Sequence, residues 1–281
     1  TFKNLTYFLV PKEYRGLTRQ RNYGVDKASE TSDMIAFVDD DTELTPNYFE
    51  ELVRTFVADK TIFGVGGVAL NENSWVLAEP NKQYNKYHFF QFDKFVYKEG
   101  KRNVVRNYLR LQSNLEPGKM PDYSHGRTCG FPLDGKIYKV DLLIGMSFAF
   151  RKIVFDSIQF SSYFEGYGLY EDADFSIRAL QFGSNVINTK VQLNHYHDTS
   201  GRPNQYQYGK MVVRNGWYVW RTKNPTPTFT HQFKWHSITI LLTLIRFSNT
   251  FTTQKRKQAL TEALGRTVGW WSLIFNKPKD K

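Results

Sequence analysis

The chain has 281 residues, 41% of them hydrophobic and 16% aromatic, which is enough to bury one large core with room for a small appendage. Its 38 basic against 27 acidic side chains leave a net charge of +11, pointing to anionic partners: phosphates, nucleic acid or an anionic membrane surface. The single cysteine, Cys129, excludes an intramolecular disulfide and suits a reducing compartment, and no uninterrupted apolar run reaches the roughly 18 residues of a membrane span.

The sequence opens at Thr1 on what reads as mid-domain chain, so a fragment or trimmed product is expected. Residues 4–10 predict a strand closed by Pro11, and Thr18 is placed to cap a helix running to about Ser29. That helix carries Arg19 and Arg21 in its first turn, where the macrodipole favours negative charge. The violation hints at a bound anion; plain surface arginines are the simpler alternative.

Residues 34–38, Met-Ile-Ala-Phe-Val, run straight into Asp39, Asp40 and Asp41. The apolar run predicts a central strand buried on both faces. Thr45 as N-cap and Pro46 as first residue predict the next helix, with Phe49, Leu52, Val53 and Phe56 as its apolar face. The three acids therefore lie at a strand end, the edge where open α/β sheets bind ligands. Adjacent carboxylates repel one another, so a divalent cation with oxygen ligands is a natural counter-charge. Alternation points Asp39 and Asp41 the same way. A solvated acidic turn is the competing reading.

Residues 61–70 predict another buried strand, with Gly64, Gly66 and Gly67 admitting close backbone approach. The stretch 71–139, rich in Asn, Lys, Tyr and Phe, shows no clear period and reads as an insertion carrying specificity. Acceptor contacts are expected in 75–138 and again in 206–220. Order returns in 142–151. A helix follows with Glu171, Asp172 and Asp174 at its start and Gly183 at its stop, then a strand over 185–193. Beyond it stand His195 and His197, two apart and so on one face of a strand. Such alternation of strands and helices predicts an α/β fold. From Tyr206 the chain turns aromatic and basic. The apolar segment 237–251 is interrupted by Arg246 and flanked by Lys234, Lys255, Arg256, Lys257 and Arg266 and by Trp235, Trp270 and Trp271. This predicts helices lying on a membrane surface, with packing against the domain as the alternative.

Arg19-Gln-Arg-Asn22, Phe37-Val-Asp-Asp-Asp41, Gly145-Met-Ser-Phe-Ala-Phe-Arg151 and Glu171-Asp-Ala-Asp-Phe-Ser-Ile-Arg178 together resemble family 2 glycosyltransferases of the GT-A fold, bacterial surface-polysaccharide type, over roughly residues 17–202. The resemblance implies a Rossmann-like α/β domain with a mixed, mostly parallel sheet flanked by helices, expected over 1–232, and a helical tail over 233–281. It implies inverting transfer from a nucleotide diphosphate sugar, UDP-linked by expectation, with Mn²⁺ or Mg²⁺. Asp39 and Asp41 match the Asp-X-Asp motif that meets metal and nucleotide sugar, Asp40 lying between them. Asp172, beside Glu171, matches the catalytic base. His195 or His197 stands where some members add a histidine to the metal, and the choice between them stays open. Arg21 and Asn22, with Arg19, match the nucleotide side. The βαβ start that cradles the base in this family would lie before Thr1.

The implied acceptor is a glycan or lipid-linked hydroxyl, nucleic acid is not an expected partner, and the implied location is cytoplasmic at the inner membrane face. Two other readings use the same residues. A metal-dependent phosphoryl-transfer enzyme would favour a closely spaced two-metal cluster. A non-catalytic protein on the same scaffold would bind carbohydrate or an anionic surface.

Overall fold

The segment Ile-Phe-Gly-Val-Gly-Gly-Val-Ala becomes the middle of a six-stranded sheet, because its small and apolar residues tolerate neighbours on both faces and both edges. A computed structural model gives this fold and describes residues 4–127, 130–164, 166–197 and 203–279; Cys129 and residues 198–202 lie outside the described residues. The first half holds α1 (Leu17–Lys27), β1 (Met34–Val38), β2 (Thr42–Leu44), α2 (Tyr48–Ala58) and β3 (Ile62–Ala69). The former insertion contributes β4 (Val76–Leu77), β5 (Phe89–Phe92), β6 (Phe95–Lys98), α3 (Lys101–Tyr108) and β7 (Ile137–Val140). Then come β8 (Ser147–Arg151), α4 (Glu171–Ala179), β9 (Ser184–His195), α5 (Gln205–Lys223), α6 (Phe229–Thr252) and α7 (Arg256–Phe275).

Sheet order is β1-β8-β3-β9-β2, with β7 also on β9, while β4, β6 and β5 form a separate small sheet. Among the described residues only β3 and β9 run parallel; β1–β8, β3–β8, β2–β9 and β7–β9 are antiparallel. The expected mostly parallel sheet is thus corrected to a mixed, mostly antiparallel one. The physical reason is that an apolar run dictates burial but not direction. Direction follows from the connections, and β8 enters through the turn at 141–146 to run against both its neighbours.

Alternation along β8 divides the core. Phe148 and Phe150 face a cluster with Phe155, Phe160 and Phe175, whereas Ala149 faces Tyr48, Leu52, Phe56, Val65 and Leu193 beneath α2. Each such aromatic contributes about 1.5–3 kcal/mol on burial. A third cluster ties α4 to the C-terminal helices through Trp220, Trp235 and Leu273. Gly209 on α5 and Gly265 on α7 sit where an added Cβ would strike the facing helix backbone, at Glu262 O and Tyr206 O respectively. The tail therefore packs closely on the domain, and the expected boundary at 232/233 falls inside α6.

Several local expectations change. Residues 4–10 pair with no strand among the described residues, and Leu5, Tyr7 and Leu9 are exposed. Among the described residues β1 pairs with β8 alone, and Ala36 and Val38 are exposed. Gly16, not Thr18, precedes α1, and Asn47, not Thr45, precedes α2. The buried stripe of α2 is Tyr48, Leu52 and Phe56 with Glu51 and Thr55, leaving Phe49 and Val53 exposed, because Tyr48 Oη reaches Ser147 Oγ at 2.6 Å and turns the helix.

Candidate active site

The chain leaves β1 and turns tightly over Asp39, Asp40 and Asp41 because both neighbouring strands hold the turn. Asp39 N donates to Met146 O (3.1 Å), one step beyond the β1–β8 register. Thr42 Oγ1 donates to Asp39 O (2.7 Å), and Tyr196 N donates to Asp41 O (2.9 Å). Thr42 also lies opposite His195 in the β2–β9 ladder, which brings the acids to the end of β9. Asp41 Oδ1 comes within 3.3 Å of His195 Nε2, and one donor atom from each of Asp39, Asp41 and His195 lies within 4.8 Å of the others. Asp40 points to solvent. Two carboxylates and one imidazole are a donor set that suits Mn²⁺ or Mg²⁺. Burial lifts the Asp39 carboxyl above its ordinary range; Arg21 opposes the rise, Asp41 adds to it, His195 opposes it and Asp172 adds to it.

Behind the histidine stands a residue that no motif marked. Glu72 Oε1 lies 2.8 Å from His195 Nδ1 and 2.7 Å from His197 Nε2, and the two rings are 4.1 Å apart. Asn71 brackets the His195 backbone, donating to its carbonyl (2.7 Å) and accepting from its N–H (3.0 Å). A hydrogen bond from Nδ1–H to Glu72 would leave the Nε2 lone pair of His195 for the Asp39–Asp41 side. Glu72, His195 and His197 form a second trio within the same 4.8 Å limit. The available signal for Glu72 was its position just past the end of a buried strand.

On the far side, the start of α4 presents Glu171 and Asp172 after Tyr170, which holds a left-handed φ of 72°. Asp172 is half-buried; its Oδ2 accepts from Gly145 N (2.9 Å) and its Oδ1 from Ala173 N (2.8 Å). An added Cβ on Gly145 would press on Arg21, Glu171 and Asp172, so a glycine lets the loop pass between them. Arg21, only 8% exposed, joins the two halves: Nη1 lies 2.5 Å from Glu171 Oε1, and Nη2 lies 3.6 Å from Asp39 Oδ1 and donates to Gly145 O (3.3 Å). Phe148, Phe160 and Phe37 surround its guanidinium at 4.9, 5.4 and 5.8 Å. Asn22 is engaged with the Phe160 backbone, donating to its carbonyl and accepting from its N–H at 2.9 Å each, and Arg19 Nη1 donates to Glu13 O (2.7 Å). The sequence-predicted residues thus fall in two places. Asp39, Asp41, His195, His197, Glu171, Asp172 and Arg21 gather around one end of the sheet, while Arg19 and Asn22 brace the chain beside it.

Residues 2–116 match the family model described as "Glycosyl transferase family 2". The match takes in Arg21, Asp39, Asp41 and Glu72; Asp172 and His195 lie beyond it. No curated protein matches the chain.

Glu171 makes a pH dependence. Burial lifts its carboxyl from an ordinary 4.5 to about 8, Arg21 pulling it down and Asp172 pushing it up. Between those values the folded chain holds a proton that the unfolded chain has released, so stability falls as pH rises through the window. Glu171→Gln carries no such proton. Its stability relative to the parent chain is expected to rise by at least about 1.4 kcal/mol between pH 4.5 and about 8. Thermal denaturation of both across this range measures it. A constant difference would mean that Arg21 keeps Glu171 ionised throughout.

Proposed function

The chain carries a glycosyl transferase family 2 region over residues 2–116, and from that premise we propose inverting transfer of a sugar from a nucleotide diphosphate sugar, UDP-linked, to a hydroxyl of a glycan or lipid-linked acceptor. What carries this reading is the division of the acids into two groups, Asp39 and Asp41 with His195 in one and Glu171 beside Asp172 in the other, with Arg21 set between Asp39 and Glu171. An inverting displacement asks for that division. Charge develops on the departing diphosphate on one face of the sugar, and a proton must leave the attacking hydroxyl on the other.

In this reading Asp39, Asp41 and His195 would hold a divalent ion, Mn²⁺ or Mg²⁺, with Glu72 orienting the imidazole. Such an ion, when bound, neutralises the leaving diphosphate. Asp172 takes the acceptor proton as the new C–O bond forms and the bond to the diphosphate oxygen breaks, releasing the nucleoside diphosphate. Its two backbone hydrogen bonds fix the carboxylate in place. Glu171 stays behind it, tied to Arg21, in a supporting role.

Nucleoside diphosphate release from a panel of sugar nucleotides, with an acceptor panel and Mn²⁺ or Mg²⁺, tests the proposal. Chelator is expected to abolish turnover, and Asp172→Asn to lower kcat by about 10²–10⁴-fold. Full activity in Asp172→Asn would overturn the base assignment, and turnover indifferent to chelator would overturn the metal.

No helix among the described residues is long and apolar enough to cross a membrane. The turn between α6 and α7 nevertheless sets exposed Phe251 beside exposed Lys255, Arg256 and Lys257, and Phe229, Trp271 and Phe275 are exposed on the same two helices. These features support seating of the tail on an anionic membrane surface. Flotation of the chain with anionic liposomes, weakening as salt rises, is the expected behaviour; a chain that never floats removes the membrane from the account.

A further inference from the structure

A cavity of about 580 Å³ lies beside Tyr170, among α3, the 123–127 loop and helices α5 to α7. Its described lining includes Lys101, Arg102, Arg106, Arg127 and Arg266 and no aspartate or glutamate. Two of these cations are already matched: Arg127 pairs with Glu99 at 2.9 Å, and Arg266 with Glu262 at 2.8 Å. Arg106 differs. It is 7% exposed, and its Nε and Nη2 have no hydrogen-bond partner among the described residues. Burial pushes its guanidinium down to about 10. A charge held out of water with open donors is costly unless something anionic meets it.

The remaining wall is apolar on one side and carries the His125 and Tyr170 rings on the other. Val213, Trp235 and Ile238 are buried against the cavity. His125 stacks on Tyr170 at 4.8 Å with its planes 2° apart, its Nε2 lies 3.0 Å from Gly216 O, and its Nδ1 has no hydrogen-bond partner among the described residues. Tyr170 in turn stands two residues before Asp172. A neighbouring cavity of about 540 Å³ shares Arg102 and Arg266 and extends to Lys255, next to the exposed basic turn between α6 and α7.

We propose that this cavity binds the phosphate of the acceptor, with Arg106 as its principal ligand and Arg102 at the rim. The phosphate of an amphiphile, with its alkyl part against Trp235 and Ile238, and a water-soluble sugar phosphate share this chemistry. That the bound molecule is the acceptor rests on the transferase reading; that an anion binds here does not.

Calorimetric titration of the full chain, without metal or donor, tests the site with octyl phosphate, inorganic phosphate and the neutral octyl glucoside. Saturable binding of octyl phosphate, weakened roughly tenfold or more in Arg106→Met and weakened also in Arg102→Gln, is expected. Octyl phosphate binding well above inorganic phosphate assigns an amphiphilic source, and equal binding assigns a soluble one. No saturable binding of either phosphate by the parent chain up to about 10 mM, or equal binding of octyl glucoside, would overturn the proposal whether or not the variants fold. In transfer assays Arg106→Met is expected to raise KM for a phosphate-bearing acceptor roughly tenfold or more, and by far less for a neutral one. Phosphate binding without any transfer would overturn the transferase reading and leave the site standing. Transfer with an unchanged KM in Arg106→Met would overturn the acceptor role of the site.

Discussion

Carboxylates crowd together only where something positive is fixed between them, and in this chain that is the guanidinium of Arg21. It touches Glu171 and Asp39 at once, inside a ring of three phenylalanines that keeps it from water. Burial strengthens each attraction and also raises the cost of losing one, since a stranded partner would be a buried charge. The loop at Gly145, the turn after β1 and the first residues of α4 are therefore placed relative to one another by one side chain. Without it the acids of the two sides would have no common reference.

The sheet supplies the rest of the precision. Pairing β2 against the end of β9 sets Asp41 beside His195, and Asn71, at the end of β3, clamps the backbone of the same histidine. A strand-end site has this advantage over a loop site: its ligands inherit the register of hydrogen-bonded ladders. The C-terminal helices take a different part. Packed through Gly209 and Gly265, they form a wall behind Tyr170 and carry exposed basic and aromatic side chains away from the acids. Acceptor and donor ends of the reaction would then be served by different layers of the fold.

Much of this was legible in the chain because local chemistry dictated it. The apolar runs at 62–69 and 147–151 became strands, and the acids of 171–174 opened a helix as the macrodipole prefers. Arg21 of the anomalous α1 turn meets groups of the chain itself, the carboxyls of Glu171 and Asp39. Pairing was not legible. That β8 runs against both β1 and β3 depends on contacts between residues far apart in sequence. Glu72 was missed for the same reason, since a lone acid between two asparagines shows nothing until β9 brings His195 and His197 against it. The stretch 76–98 looked shapeless because its small sheet is built from very short strands rich in aromatics that carry no clean period.

The claim on which everything turns is that Asp39, Asp41 and His195 together hold the ion that meets the diphosphate. Crystals of the chain soaked with Mn²⁺ and uridine diphosphate, with anomalous scattering recorded, test it without any assay of turnover. The account expects one peak, about 2.0–2.3 Å from carboxylate oxygens of Asp39 and Asp41 and from His195 Nε2, with diphosphate oxygens completing the shell. A peak seated instead on Glu72 and His197, away from Asp39 and Asp41, would contradict it.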